Sequence, residues 1–129
     1  MKKVLIVDDS LFMRKVLTAL IPPGHEVIEA DSGPAALLQF SKERPDLVFL
    51  DIVMAGGEDE GVKVLREIMS ADPQAQVVMI TAVGQDAIMA ECAKLGAKDY
   101  IVKPFDDEQV RSTVEKCLGQ TVAAARGER

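Results

Sequence analysis

Five side chains able to bind a cation or a phosphoryl group follow short apolar runs at widely separated points of the chain. Apolar runs of this length, bounded by turn residues, predict buried parallel strands. The carboxyl ends of parallel strands meet at one edge of a sheet, which is where open α/β sheets bind ligands. We therefore expect one shared site formed by Asp8, Asp9, Asp51, Thr81 and Lys103.

The residue types predict magnesium-dependent phosphoryl transfer. Three carboxylates held close together repel one another unless a cation lies among them, and their oxygen atoms suit Mg²⁺. A carboxylate beside such a cation can act as a nucleophile toward phosphorus and form an aspartyl phosphate. This chemistry requires mainly alignment and neutralisation of charge, for which the Lys103 ammonium and the Thr81 hydroxyl are suitable. Taken singly, each residue has an ordinary structural explanation, such as a helix cap or a solvated turn, so the prediction depends on the combination.

The elements that must position these groups alternate between strand and helix patterns. Five strand-then-helix units predict a single α/β domain with a parallel sheet and helices on both faces. The strand near residues 26–30 has polar flanks, which favours the edge of the sheet. Ser32, with Pro34 close behind it, predicts the start of the second helix. The first helix is expected to begin at Asp9 or Ser10 and to bury a stripe of Phe12, Val16, Leu17 and Leu20.

Composition excludes several other functions. The chain has 129 residues, a net charge of −6 and no apolar run near the length of a membrane span, which argues against non-specific nucleic-acid binding and membrane insertion. Cys92 and Cys117 lack the spacing of a zinc or redox motif, so a reducing cytoplasm is expected. We expect residues 1–118 to form the domain and residues 119–129 to form a tail or a helical extension.

Four short motifs resemble the signatures of the receiver domain of bacterial two-component response regulators. They are the segments 7–10 (VDDS), 51–54 (DIVM), 80–82 (ITA) and 99–105 (DYIVKPF). The resemblance covers roughly residues 2–118, and the pair Met13-Arg14 favours the stand-alone, CheY-like type. It implies a flavodoxin-like (βα)5 fold with strand order 2-1-3-4-5, an order for which CheY is a known example.

The resemblance implies a role for each acidic residue. Asp51 is expected to accept the phosphoryl group from a phosphohistidine of a sensor histidine kinase or phosphotransfer protein. Asp9, Asp51 and the main-chain carbonyl of Val53 are expected to bind Mg²⁺ directly, and Asp8 through water.

The resemblance also implies a switch. Thr81 and Lys103 are expected to hold the phosphoryl oxygens, with a cis peptide bond before Pro104. Movement of Thr81 toward the phosphate would let Tyr100 turn from exposed to buried. That would alter the face made by the fourth helix, fifth strand and fifth helix, where a downstream protein target is expected to bind.

The sequence departs from the family pattern after Asp51. Ala55 stands where proline is common, and the loop to Gly61 is about two residues longer and more acidic, with Glu58-Asp59-Glu60. Neutral surface variation is the simpler explanation, because loop insertions cost little. The alternative is that the extra carboxylates alter metal affinity or kinase docking.

Two apolar residues predict a long-lived phosphorylated form. Val53 and Val83 stand where receiver domains control access of hydrolytic water, and neither offers a hydrogen bond to it.

Three other functions are weaker. A Mg²⁺-dependent phosphatase with an aspartyl nucleophile normally has a second Asp where Val53 stands. A flavodoxin-like cofactor binder would not place Asp8-Asp9 against an anionic phosphate, and no Gly-rich loop follows the first strand. A degenerate receiver that only docks would lack part of the site, whereas every site residue is present. The kinase, the target and the pathway stay open.

Overall fold

The structure, a computed structural model, describes residues 1–82 and 86–119. Strands and helices alternate strictly through these residues. In chain order they are β1 (Lys2–Val7), α1 (Leu11–Leu20), β2 (His25–Ala30), α2 (Gly33–Glu43), β3 (Leu47–Leu50), α3 (Glu60–Ala71), β4 (Val77–Thr81), α4 (Asp86–Leu95), β5 (Asp99–Val102) and α5 (Asp107–Leu118). Of the predicted tail, 119–129, only Gly119 lies within the described residues.

The strands form one sheet in the order β2-β1-β3-β4-β5. Every pairing between neighbouring strands is parallel, which confirms the predicted α/β fold and strand order. The polar-flanked β2 lies at an edge, as its sequence indicated, while β3 and β4 are buried along their whole length. Because β1, β3, β4 and β5 are consecutive in the sheet, their carboxyl ends lie side by side.

Two apolar cores lie on opposite faces of the sheet. Successive residues of a strand point to opposite faces, and β1 shows this: Leu5 and Val7 belong to one core, Val4 and Ile6 to the other. The first core is completed mainly by α2 and α3, and the second by α1 and α5. The sheet is therefore covered on both faces and only its edges and ends are accessible.

Local capping signals predicted several helix starts correctly. The Ser10 hydroxyl accepts a hydrogen bond from the Met13 amide, and the Ser32 hydroxyl accepts one from Ala35. The Asp106 side chain caps α5 by accepting a hydrogen bond from the Gln109 amide. Such caps satisfy amide groups that have no partner inside the helix.

The predicted buried stripe of α1 was wrong at Phe12, which is 74% exposed, and Val16 is only partly buried and belongs to neither core. The side chains that face the sheet are Met13, Leu17 and Leu20. Phe12 lies about 100° around the helix from Met13, so its ring points away from the core. The apolar residues of α1 cover more than one face, and their spacing alone did not identify the inward one.

None of the helices in the described ranges has the length and apolar character needed to cross a membrane.

Candidate functional site

The predicted site residues lie together at the carboxyl edge of the sheet. Asp8 directly follows β1, Asp51 follows β3, Thr81 ends β4 and Lys103 follows β5. Main-chain hydrogen bonds continue the ladder past the strand ends, from Asp51 N to Val7 O (3.1 Å) and from Lys103 N to Thr81 O (2.8 Å). The backbone at each residue is therefore fixed by the sheet itself.

The three aspartates form a compact acidic cluster. Asp8, Asp9 and Asp51 each offer a carboxylate oxygen within 4.8 Å of the others. Asp8 and Asp51 are buried, at 2% and 7% exposure, whereas Asp9 is exposed. The Oδ1 atom of Asp8 accepts a hydrogen bond from the Ser10 amide at 2.9 Å, so the residue that caps α1 also helps orient this carboxylate.

Lys103 is shared between two of the carboxylates. Its Nζ atom lies 3.0 Å from Oδ2 of Asp8 and 3.3 Å from Oδ2 of Asp51. The peptide bond between Lys103 and Pro104 is cis. The ammonium therefore lies where it can neutralise charge beside either carboxylate.

Burial and neighbouring charges shift two pKa values at the site. Burial raises the pKa of Asp51, and the Asp8 carboxylate adds to this, while Lys103 and a hydrogen bond from Thr81 oppose it. Burial lowers the pKa of Lys103, but hydrogen bonds and charge interactions with Asp8 and Asp51 outweigh it, so that the net shift is upward. Lys103 is thus held as a cation, and because it is also bound to Asp8 it only partly offsets the burial of Asp51.

The cluster fits a divalent cation. All its ligand atoms are carboxylate oxygens, the type that Mg²⁺ prefers. The three carboxylates lie together and one ammonium pairs with two of them, so the site has an excess of negative charge that a divalent cation would balance. The geometry can therefore hold a cation and a phosphoryl group close to Asp51.

Arg14 is a site residue whose role the sequence did not reveal. Its Nη1 atom donates to the main-chain carbonyl of Asp8 at 2.7 Å, and its Nε atom donates to Oε1 of Glu29 at 2.8 Å. Lys15 binds the other oxygen of Glu29 at 2.8 Å, and this hydrogen bond is the main reason that the pKa of Glu29 is lowered. The network connects the turn after β1 to β2. Its signal, a basic pair 14 or 15 residues before an edge-strand Glu, is too common to be specific.

Val53 and Val83 are the two residues predicted to control the access of hydrolytic water to Asp51. The Val53 side chain is 39% exposed, so an apolar group faces solvent two residues after Asp51. Val83 lies outside the described residues.

Tyr100 on β5 is half-buried and packs against the core that contains Cys92 and Met79. Burial, with smaller contributions from Cys92 and Asp51, raises its pKa to about 12.

The comparisons with known proteins identify the family. The model described as "Response regulator receiver domain" matches residues 4–115. The chain belongs to the response regulator receiver domain family. Receiver domains act in two-component phosphoacceptor signalling and bind Mg²⁺ at an acidic pocket.

Similar proteins match over most of their length. The chain is 43% identical to chemotaxis protein CheY of Thermotoga maritima over 117 residues, which is 89% of this chain and 96% of that protein. It is 42% identical to protein CcdB of Bacillus subtilis, covering 92% of this chain and 99% of that one. Among solved structures, the CheX-CheY-BeF3-Mg+2 complex from Borrelia burgdorferi has a TM-score of 0.84 at 36% identity, covering 92% of this chain and 90% of that one.

Proposed function

We propose that Asp51 is the phosphoacceptor of this receiver domain. The observation that supports this most strongly is its central position. Its carboxylate belongs to the acidic cluster, lies 3.3 Å from the Lys103 ammonium and accepts a hydrogen bond from Thr81. In the proposed step a carboxylate oxygen attacks the phosphorus of a phosphohistidine. The P–N bond breaks, and its electron pair passes to the imidazole of the sensor kinase or phosphotransfer protein.

The other site residues supply charge and position. Lys103 moves its ammonium from the carboxylates to a phosphoryl oxygen, and Thr81 donates its hydroxyl to another. Asp9, Asp51 and the main-chain carbonyl of Val53 would hold Mg²⁺ directly and Asp8 through water, and the bound ion would neutralise phosphoryl charge. The similar CheX–CheY complex from B. burgdorferi contains Mg²⁺, which supports this assignment.

The output is proposed to pass through Thr81 and Tyr100. Thr81 moves toward the phosphoryl group and leaves space for the Tyr100 ring, which is only half-buried in the present state. A groove between α4 and β5 is lined by Met89, Cys92, Ala97 and Tyr100. Burial of the ring would reshape this groove, which makes the α4–β5–α5 face the proposed binding surface for a downstream protein.

The relatives support the rest of the assignment. Several are named chemotaxis proteins, and the CheX–CheY complex shows that one of the similar proteins binds a protein partner. Both cysteines are free thiols, which agrees with the reducing cytoplasm proposed as the location. The phosphatase alternative is not favoured, because the family is a signalling family and Val53 stands where that chemistry needs a second Asp.

Labelling with a small phosphodonor tests the proposal. The parent chain, incubated with acetyl phosphate and Mg²⁺, should gain one phosphoryl group in intact-mass measurements, and chelation of Mg²⁺ should prevent it. Asp51→Asn should take no label, since an amide is a poor nucleophile. Asp107→Asn, which neutralises an exposed Asp on α5, serves as the control and should label like the parent. Equal labelling of the Asp51→Asn variant, or no labelling of the parent, would overturn the assignment.

A further inference from the structure

The side chain of Glu60 connects the loop after Asp51 to a different helix. Glu60 is the first residue of α3, and its Oε2 atom accepts a hydrogen bond from the Gly33 amide at 2.7 Å. Gly33 is the first residue of α2. The carboxylate therefore lies at the N-terminal ends of two helices at once, where their dipoles favour a negative charge.

Two glycines leave the space that this carboxylate occupies. A Cβ atom at Gly33 or at Gly56 would collide with the Glu60 carboxylate. Neither glycine has a positive φ, so their backbone conformations do not require glycine. We infer that both positions are small because the carboxylate lies between them. The Oε1 atom is shielded from solvent and accepts no hydrogen bond from the described residues, so within that part of the chain the Gly33 amide is the only hydrogen-bond donor to this carboxylate.

Gly61, the residue after Glu60, connects the start of α3 to the main chain that follows β3. The Gly61 amide donates to the carbonyl of Ile52 at 2.8 Å. A Cβ atom at Gly61 would collide with the main-chain oxygen of Asp51, so the start of α3 lies directly against the backbone at Asp51 and Ile52. Between these points the loop folds back through reciprocal hydrogen bonds between Met54 and Gly57, of 3.2 and 2.9 Å. Two contacts thus link α2 to the main chain beside Asp51.

We propose that Glu60 is a positioning residue for the cation site. Its carboxylate fastens the lengthened β3–α3 loop to the N-terminus of α2 and so holds the main chain at Asp51–Val53 in the conformation that binds Mg²⁺. The proposal rests on the proposed function, which assigns the cation to Asp9, Asp51 and the Val53 carbonyl. The proposal gives this role to only one of the three acidic residues of the loop. Glu58 and Asp59 are exposed, whereas the Glu60 carboxylate contacts α2.

Mg²⁺ affinity, measured by calorimetry on the intact chain, tests the positioning role. Glu60→Ala should raise the dissociation constant about tenfold, the usual size of an effect on residues that orient metal ligands. Glu60→Gln should stay close to the parent, since its side-chain carbonyl can still accept the Gly33 amide. Glu58→Ala removes the same charge from the same loop and is the matched control, with an expected change below about twofold. Equal weakening in Glu58→Ala and Glu60→Ala would mean that charge alone acts, and would overturn the proposal, as would unchanged affinity in Glu60→Ala.

A double-mutant cycle tests the contact between Glu60 and Gly33, and it requires neither metal nor phosphate. In the parent, Gly33→Ala should lower the unfolding free energy, because the new methyl group displaces the Glu60 carboxylate. In the Glu60→Ala background, Gly33→Ala should instead lower the unfolding equilibrium constant about two- to fivefold, the usual gain of Ala over Gly at a compatible position. An effect of the same sign and size in both backgrounds would contradict the contact. Failure of the Asp51 labelling experiment would overturn the proposed function but leave this cycle valid. If the protein labels at Asp51 and the Mg²⁺ dissociation constant of Glu60→Ala equals that of the parent, only the positioning role is overturned.

Discussion

Asp51 has an environment suited to a nucleophile. Burial and the neighbouring Asp8 raise its pKa, which means that its ionised form is less stabilised than that of an exposed carboxylate and is correspondingly more reactive. Lys103 does not cancel this effect, since its ammonium is shared with Asp8 at the shorter distance of 3.0 Å. The Lys103 ammonium thus lies where it could neutralise the phosphoryl group proposed to form on Asp51.

Val53 is expected to lengthen the life of the phosphorylated form. Its exposed apolar side chain beside Asp51 offers no hydrogen bond to an attacking water. Val53→Asn should therefore speed loss of the phosphoryl group by roughly fivefold, the rate equivalent of one hydrogen bond of about 1 kcal/mol. The decay is followed by mass after removal of phosphodonor. Val53→Ala, which adds no polar group, is the control, and equal decay of the parent and the Asn variant would exclude this role.

Sequence reasoning predicted that these residues lie together at one edge of the sheet, but not all of their contacts. Asp51 and Lys103 could be placed together because parallel strands end at a common edge. Adjacent residues at a strand end point in different directions, but which of Asp8 and Asp9 is buried depends on the neighbouring elements and could not be read from the sequence. The roles of Arg14 and Glu60 could not be foreseen either, because both side chains bind main-chain groups of other elements, and no residue pattern records such partners.

The first turn of α3 lies directly against the main chain that follows β3. Gly61 allows α3 to begin against the backbone of Asp51 and Ile52. Its φ is not in the left-handed region, so the glycine is required by close approach and not by conformation.

Gly61→Ala is expected to destabilise the protein by about 1–3 kcal/mol, the usual cost of overpacking. The new methyl group would meet main-chain atoms, which the sheet holds in place. Gly33→Ala should lower the unfolding free energy by less, because its new methyl group meets the end of the Glu60 side chain, which can move away. Denaturant unfolding of both variants measures the difference, and a smaller loss for Gly61→Ala than for Gly33→Ala would contradict this account of the contact.

Elements with local signals were predicted well. Ser32 followed by Pro34 identified the start of α2, because capping depends on residues only a few positions apart. The inward face of α1 was misjudged at Phe12 because its apolar residues surround more than one side of the helix. Choosing among them requires the position of the sheet, which is a tertiary fact.

Tyr100 lies on β5, the strand that neighbours β4 in the sheet. It pairs with Met79 of β4, and Thr81, the residue proposed to move on phosphorylation, lies two positions further along that strand. The strand order, which the residue pattern alone did not give and the family resemblance supplied, is what makes these two strands neighbours.

Alkaline titration should report the burial of Tyr100 directly. It is the only tyrosine and the chain has no tryptophan, so tyrosinate absorbance has a single source. The expected midpoint is about 12, raised mainly by burial. Because the folded pKa is raised, the stabilisation by the neutral phenol is complete below its ordinary pKa of about 10 and is lost as the pH rises through 12. In denaturant the midpoint should return to about 10, and a midpoint there with secondary structure intact would contradict the observed burial.

The position of Lys103 bears on whether the fold forms before a metal binds. By bridging Asp8 and Asp51, the lysine acts as a built-in counter-ion, so the acidic edge of the sheet is partly neutralised from the moment β5 joins it. We therefore expect the domain to fold without metal, and a metal that binds afterwards to compete with the Lys103 ammonium for Asp8 and Asp51.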